Sequence, residues 1–232
     1  MLVRDWMTKE PLVVSPQTSV EEAIRIMRQN RVRHLPVVKK DGDALVGVVT
    51  QTDLLQASPS PATSLSVWEI NFLLAKMQVR DAMTTSVIVV EEGCPLEEAA
   101  LVMAEHKIGC LPVVRGQRLV GIITETDLFN LFTEQLGARS TGVRLTLTIE
   151  DTKGELARLG GRIAELGGNI IRLTTLPGRE PGQAIVTVKV EDVDQEALVA
   201  GLSGLVLEVL DAREGRGWGS EGFSPYHWTL EG

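Results

Sequence analysis

The chain has 232 residues, 44% of them apolar and 23% charged, enough to bury a sizeable core in one large or two modest domains. A net charge of −8 and a pI near 5.0 exclude general affinity for nucleic acid or an anionic membrane, because an acidic chain repels polyanions. Two cysteines, Cys94 and Cys110, are too few for a disulfide scaffold, and histidines 34, 106 and 227 show no metal-ligand spacing.

No apolar run approaches the ~18 residues needed to span a bilayer. The opening Met-Leu-Val-Arg-Asp-Trp lacks the basic and then apolar regions of a signal peptide, so a cytoplasmic protein is expected. Along the chain, the first pattern is a helix. Val20, Ala23, Ile24 and Met27 share one helical face, with Thr18 and Glu21 placed as its capping box. Two β-rich runs, residues 35–38 and 45–50, flank a turn and read as a hairpin. Thr52-Asp53 then starts a second helix.

After Ser58-Pro59-Ser60-Pro61, a loop by composition, Val67, Ile70, Leu74 and Met77 keep helical spacing. This predicts a linker helix, with Trp68 and Phe72 as packing residues. The first pattern then recurs. Val3-Arg4-Asp5-x-Met7-Thr8 matches Val79-Arg80-Asp81-x-Met83-Thr84, an offset of 79 − 3 = 76. Leu35-Pro36-Val37-Val38 matches Leu111-Pro112-Val113-Val114 at the same offset. Two residues are lost in the hairpin turn, and Gly47-x-x-Thr50-x-Thr52-Asp53 matches Gly121-x-x-Thr124-x-Thr126-Asp127 at 121 − 47 = 74. Leu96, Ala99, Ala100 and Met103 repeat the helical stripe, and Pro95 suits a first helical position. Such a repeat signals two copies of one supersecondary unit.

From residue 141 the texture changes. Residues 143–149 alternate strictly as a half-buried strand. Leu156, Leu159, Ile163 and Leu166 form a helical stripe that Gly167-Gly168 ends. Residues 169–176 and 183–190 read as strands, 194–202 as a helix and 205–210 as a last strand. The order βαββαβ is ferredoxin-like, so the fold class is mixed α+β. The tail, 213–232, combines glycines with Trp218, Phe223, Tyr226 and Trp228: glycine argues for flexibility, the aromatics for docking.

The Asp-x-Met-Thr openings, the Leu-Pro-Val-Val strands and the paired Thr-x-Thr-Asp segments resemble a tandem pair of CBS domains, a Bateman module. Asp151-x-x-Gly154-x-Leu156 and Gly167-Gly168-Asn169-Ile170 resemble an ACT domain, although Lys153 stands where most ACT domains have proline. The whole chain is similar to CBS–ACT proteins of the acetoin-utilisation type. The implied domains are CBS repeats at 1–57 and 79–138, a linker at 58–78, an ACT domain at 139–212 and the tail at 213–232.

By that resemblance the CBS pair binds an adenosine-containing nucleotide such as AMP, ADP or ATP as a regulatory ligand. Asp53 and Asp127 would hold ribose, with Thr50, Thr52, Thr124 and Thr126 near phosphate. Each cleft would borrow from the opposite repeat: Thr8, Val13, Val32 and Arg33 with Ile122 and Asp127, and Val89 and Ile108 with Val48 and Asp53. Before Leu-Pro the first repeat has Arg31-Val32-Arg33-His34 and the second Lys107-Ile108-Gly109-Cys110; by the resemblance basic residues here neutralise phosphate, so the first repeat would supply the phosphate clamp with Arg33 and His34. Gly109 and Cys110, their counterparts, cannot do so in the second, which makes the Arg33–Asp127 site the tighter one. In the ACT domain, Asp151 and Asn169 would touch an amino-acid effector.

Plain structural readings stand beside these. Thr and Asp are favoured helix caps, Asp151 suits a cap, Asn169 suits a tight turn, and Cys110 suits a small buried hydrophobe. No nucleophile with a base and no paired carboxylates point to catalysis, and His106 reads as a solvated helix end. The expected role is therefore a homodimeric ligand sensor acting on another protein, with no catalytic cofactor. The alternative is an adaptor whose CBS and ACT domains only dimerise.

Overall fold

The computed structural model describes residues 1–39, 44–57 and 76–216. The hairpin turn at 40–43, most of the expected linker helix with Trp68 and Phe72, and the tail aromatics lie outside them. The chain divides into two compact units, Met1–Phe129 and Asn130–Gly232.

In the first unit, repeat one runs α1 (Val3–Trp6), β1 (Thr8–Lys9), α2 (Val20–Asn30), β2 (His34–Val38), β3 (Leu45–Thr50) and α3 (Gln51–Ala57). α2 forms on the expected stripe: Val20, Ala23 and Met27 are buried against Leu35, Val37, Val49 and Leu54. Its cap is Ser19, whose Oγ accepts from the Glu22 N–H at 3.2 Å. Thr18 is used one turn earlier, where its hydroxyl accepts from the Ser15 N–H at 3.1 Å, so Ser19 rather than the expected Thr18–Glu21 box caps the helix.

Repeat two runs through a 3-10 turn at Val79–Asp81, then β4 (Val90–Glu91), α4 (Leu96–His106), β5 (Cys110–Arg115), β6 (Arg118–Thr124) and α5 (Glu125–Gln135). Pro95 is the N-cap of α4 and not its first helical residue. Leu96, Ala99 and Met103 are buried as the stripe requires.

The two repeats exchange their leading segments. β1 of repeat one pairs with β6 of repeat two, Thr8 opposite Ile122. Thr84, its counterpart, bridges to Val48 in β3, with N–H···O distances of 2.9 and 3.0 Å in the two directions. Each crossing passes directly over a glycine. A Cβ on Gly121 would lie 2.5 Å from Met7 Sδ and 3.0 Å from the Thr8 carbonyl. A Cβ on Gly47 would lie 2.9 Å from both Met83 Sδ and the Thr84 carbonyl. The glycines that mark the repeat in sequence are thus the points of closest backbone approach.

The second unit runs β7 (Thr141–Glu150), α6 (Glu155–Glu165), β8 (Asn169–Pro177), β9 (Gln183–Glu191), α7 (Gln195–Leu202) and β10 (Glu208–Arg216). The antiparallel sheet has the order β10-β7-β9-β8. Val143, Leu145, Leu147 and Ile149 alternate inward and meet Val186, Val188 and Val190 under Leu159, Ile163, Leu198 and Leu202 of the helices. The last strand lies later than the sequence suggests. Leu205 and Val206 still bond back to the Leu202 carbonyl, and pairing with β7 runs on to Arg216. Residues 213–216, expected in the tail, are therefore strand. Their charged, glycine-containing sequence hides this, but an edge strand held by backbone pairing tolerates it.

Candidate functional site: two clefts in the repeat pair

Both Thr-x-Thr-Asp segments build the same local structure. The Thr50 N–H and hydroxyl both donate to Asp53 Oδ2 at 2.8 Å, and Thr50 Oγ1 accepts from the Asp53 N–H at 3.2 Å. In repeat two the Thr124 N–H and hydroxyl donate to Asp127 Oδ2 at 2.8 Å, and Thr124 Oγ1 accepts from the Asp127 N–H at 3.4 Å. This is a reciprocal capping box with Thr50 or Thr124 as the cap and the aspartate three residues on. The cap is thus the first threonine, not Thr52 or Thr126. Oδ2 is occupied, while Oδ1 of each aspartate makes no hydrogen bond among the described residues and remains an open acceptor.

The first cleft is a cavity of about 330 Å³. It brings together Thr8 of β1, Val32, Arg33 and His34 leading into β2, and Ile122, Thr124, Thr126 and Asp127 from the other repeat. The exchange of leading segments is what puts Thr8 beside Ile122. Of the expected set only Val13 is absent; Leu12, one residue earlier, lines the cleft instead. Arg31, from the basic stretch before Leu35-Pro36, also lines it, as do Glu10 and Pro11, which no sequence motif marks.

The second cleft, about 340 Å³, contains Val48, Thr50, Thr52 and Ile108 as expected. Ile88 takes the place expected for Val89, and Asp53 is not among the lining residues. Thr84, Ser86, Lys107 and Cys110 are added. His34 lines both clefts. Its burial, and then the Arg33 charge, push its pKa below the usual 6.5, against the opposing pull of Glu125 and Asp53. The imidazole is therefore neutral at pH 7. Cys110 is buried, and burial together with Glu125 pushes its thiol up to about 12, which leaves it an unreactive apolar filler.

In the second unit, Asp151 lines a cavity of about 630 Å³ between the β7–α6 loop and the β8–β9 hairpin. Asp151 does not cap α6, whose N-cap is Gly154 at φ 95°. Asn169 begins β8 and donates to Glu191 Oε1 at 2.7 Å. Register puts the two residues at opposite ends of the sheet: Glu150 pairs with Gln183, Asn169 with Glu191. From Gln183 to Glu191 is 191 − 183 = 8 residue steps along β9, roughly 25 Å at the strand rise. Among the described residues no group of three His, Cys, Asp or Glu side chains could hold a metal ion. No helix among them is long and apolar enough to cross a membrane.

A duplicated unit with exchanged leading segments and two quasi-equivalent clefts defines a tandem-domain class, and comparison with known proteins names it. The CBS domain family matches residues 3–60 and 79–134. The chain is 31% identical over 137 residues to the CBS domain-containing protein DDB_G0289609 of Dictyostelium discoideum, covering 59% of this chain and 94% of that protein. It is 34% identical over 151 residues to the uncharacterized protein MJ1426 of Methanocaldococcus jannaschii, covering 55% and 89%. Against a longer relative, the L-aspartate semialdehyde sulfurtransferase of the same organism, the chain spans only 23% of that protein. A crystal structure from Vibrio cholerae bearing the acetoin utilization name AcuB is 34% identical, with a TM-score of 0.50, over 59% of this chain and 93% of that one. The chain belongs to the CBS domain family and carries a tandem pair.

Proposed function

We propose that the CBS pair is a regulatory sensor for an adenosine-containing nucleotide such as AMP, ADP or ATP. The observation that carries this is the open Oδ1 of Asp127 in a cleft that also gathers Thr8, Val32, Arg33, His34, Ile122 and Thr126. Oδ1 can accept ribose hydroxyls while Oδ2 keeps the helix start in place. The Thr124 hydroxyl already donates to Asp127, so the hydroxyl free to donate to phosphate is that of Thr126, and in the second cleft that of Thr52. Val32 and Ile122 offer apolar walls to a base. Two arginines line the first cleft and one lysine the second, which supports unequal sites with the Arg33–Asp127 cleft the tighter.

In the same reading, residues 1–57 and 79–138 are the two CBS domains and 139–212 an ACT-type module that dimerises or takes an amino acid. The βαββαβ sheet supports the ACT assignment. Because Asp151 and Asn169 stand at opposite ends of that sheet, an effector touching both needs two copies of the chain, which favours a homodimer. No catalytic step is assigned. The alternative, an adaptor whose aspartates only cap helices, draws on the same capping boxes.

Titration with AMP and ATP of the wild type, Asp53→Asn and Asp127→Asn separates the two readings. Asparagine keeps a carbonyl oxygen for the cap and puts an NH2 donor where Oδ1 accepted. Each variant is expected to melt close to the wild type and to lose at least about tenfold in affinity at one cleft, the scale of a hydrogen bond to a charged group. Unchanged binding in both variants would sink the ribose assignment.

A further inference from the structure

The described residues bury no aromatic ring. The sequence has four Trp, one Tyr and four Phe. Three of these lie among the described residues: Trp6 is half-buried, and Phe129 and Phe132 are 67% and 59% exposed. Aromatic rings carry a large apolar surface, so two of them left in solvent one turn apart mark a face that something covers. Both belong to α5, an eleven-residue helix with no buried residue. Leu128 and Leu131 share one face and are half-buried. Phe129, Phe132 and Leu136, the last 38% exposed, form a second stripe at i, i+3 and i+7.

The geometry at the far end of α5 shows what stands nearest. Gly137 closes the helix in left-handed backbone at φ 66°, its N–H bonded to the Glu134 carbonyl at 2.9 Å. Lys189 Nζ donates to the Gly137 carbonyl at 2.8 Å and to the Ser140 carbonyl at 2.5 Å. A Cβ on Gly215 would stand 2.7 Å from the same Nζ. The end of α5 and the end of β10 therefore meet on one lysine, and Arg216 pairs with Thr141 just after the helix.

From Arg216 the chain continues as residues 217–232, which carry Trp218, Phe223, Tyr226 and Trp228 and only two acidic residues, Glu221 and Glu231. Four of the rings that the described core lacks thus leave the sheet beside the helix that displays two. The reach suffices. Sixteen residues of coil span roughly 20–24 Å, and Phe129 to Leu136 is roughly 10 Å of helix. A tethered segment also acts at an effective concentration on the order of millimolar, which a second copy in dilute solution does not match.

We propose that the C-terminal segment 217–232 folds back within its own chain and docks its aromatic side chains on the Phe129–Phe132–Leu136 stripe of α5. This contact is independent of any ligand in the clefts.

Limited chymotrypsin digestion of the full chain tests it, with cleavage after Trp218, Phe223, Tyr226 and Trp228 followed by mass spectrometry. Sedimentation velocity is run at the same protein concentrations. In Phe129→Ser with Phe132→Ser, these bonds should be cut at least about tenfold faster than in the wild type, while the strands β7 to β10 stay intact. Phe132→Leu should keep most of the protection, and the wild-type rate should not change on dilution. A second arm leaves α5 itself unaltered: Trp218→Ser with Trp228→Ser should speed amide hydrogen exchange at residues 129–136. Equal cleavage in the wild type and the serine variants, whether fast or slow, would overturn the proposal, as would unchanged exchange in α5. Protection that disappears on dilution as a dimer separates would also overturn it, and would give the stripe to a second copy.

Discussion

His34 serves both clefts, and its neutrality is a consequence of the room made for it. Gly109 stands where a Cβ would come within 3.1 Å of its Nε2, so the second repeat's glycine accommodates the first repeat's imidazole. Burial lowers the folded pKa below that of the unfolded chain. As pH falls beneath about 6.5 the unfolded chain therefore binds the proton first. The stability associated with this residue is complete above that pH and is lost as pH drops through the folded value. Urea unfolding at pH 7.5 and 5.5 should show the wild type losing more stability than His34→Asn; equal losses would contradict the assignment. Leu12 and Ile88, 76 residues apart, line the cavities beside the expected Val13 and Val89. These positions lie outside any helix or strand, so no periodic pattern declares which side chain faces the cavity.

At the scale of elements, the helices and hairpins were legible because their burial follows a period. Val20, Ala23 and Met27 declare α2, and Val143 through Ile149 declare β7. The exchanged leading segments were not legible in the same way. Thr8–Lys9 is a two-residue strand, too short to show any alternation, and its partner Ile122 is more than a hundred residues away in the chain. What sequence did show was the resemblance, which implied that each cleft borrows from the other repeat, and the glycines that permit it. Gly121→Val should therefore do more than crowd a strand. It pushes against Met7 and the Thr8 carbonyl, at a cost of about 1–3 kcal/mol typical of overpacking. It should also lower ligand affinity at the first cleft by displacing Thr8. Denaturant midpoints of Gly121→Val and Gly47→Val test the first expectation; wild-type values for both would show that the crossings are loose.

For the whole molecule, the proposed function is that of a CBS pair whose two unequal clefts read a phosphorylated adenosine ligand, with the βαββαβ unit serving assembly or a second effector. Ligand that binds only the folded clefts stabilises them by mass action, about 2.7 kcal/mol at 100 times its Kd. The most direct test is thermal unfolding of the wild type and Asp127→Asn in a panel of adenosine, AMP, ADP, ATP, NAD and S-adenosylmethionine, with amino acids in parallel. A nucleotide sensor should show an upward shift with one or more of the phosphorylated adenosine ligands, greater than with adenosine and largely lost in Asp127→Asn. A shift with amino acids alone would move the sensing to the second unit, and the absence of any shift across the panel would contradict the sensor and leave the adaptor.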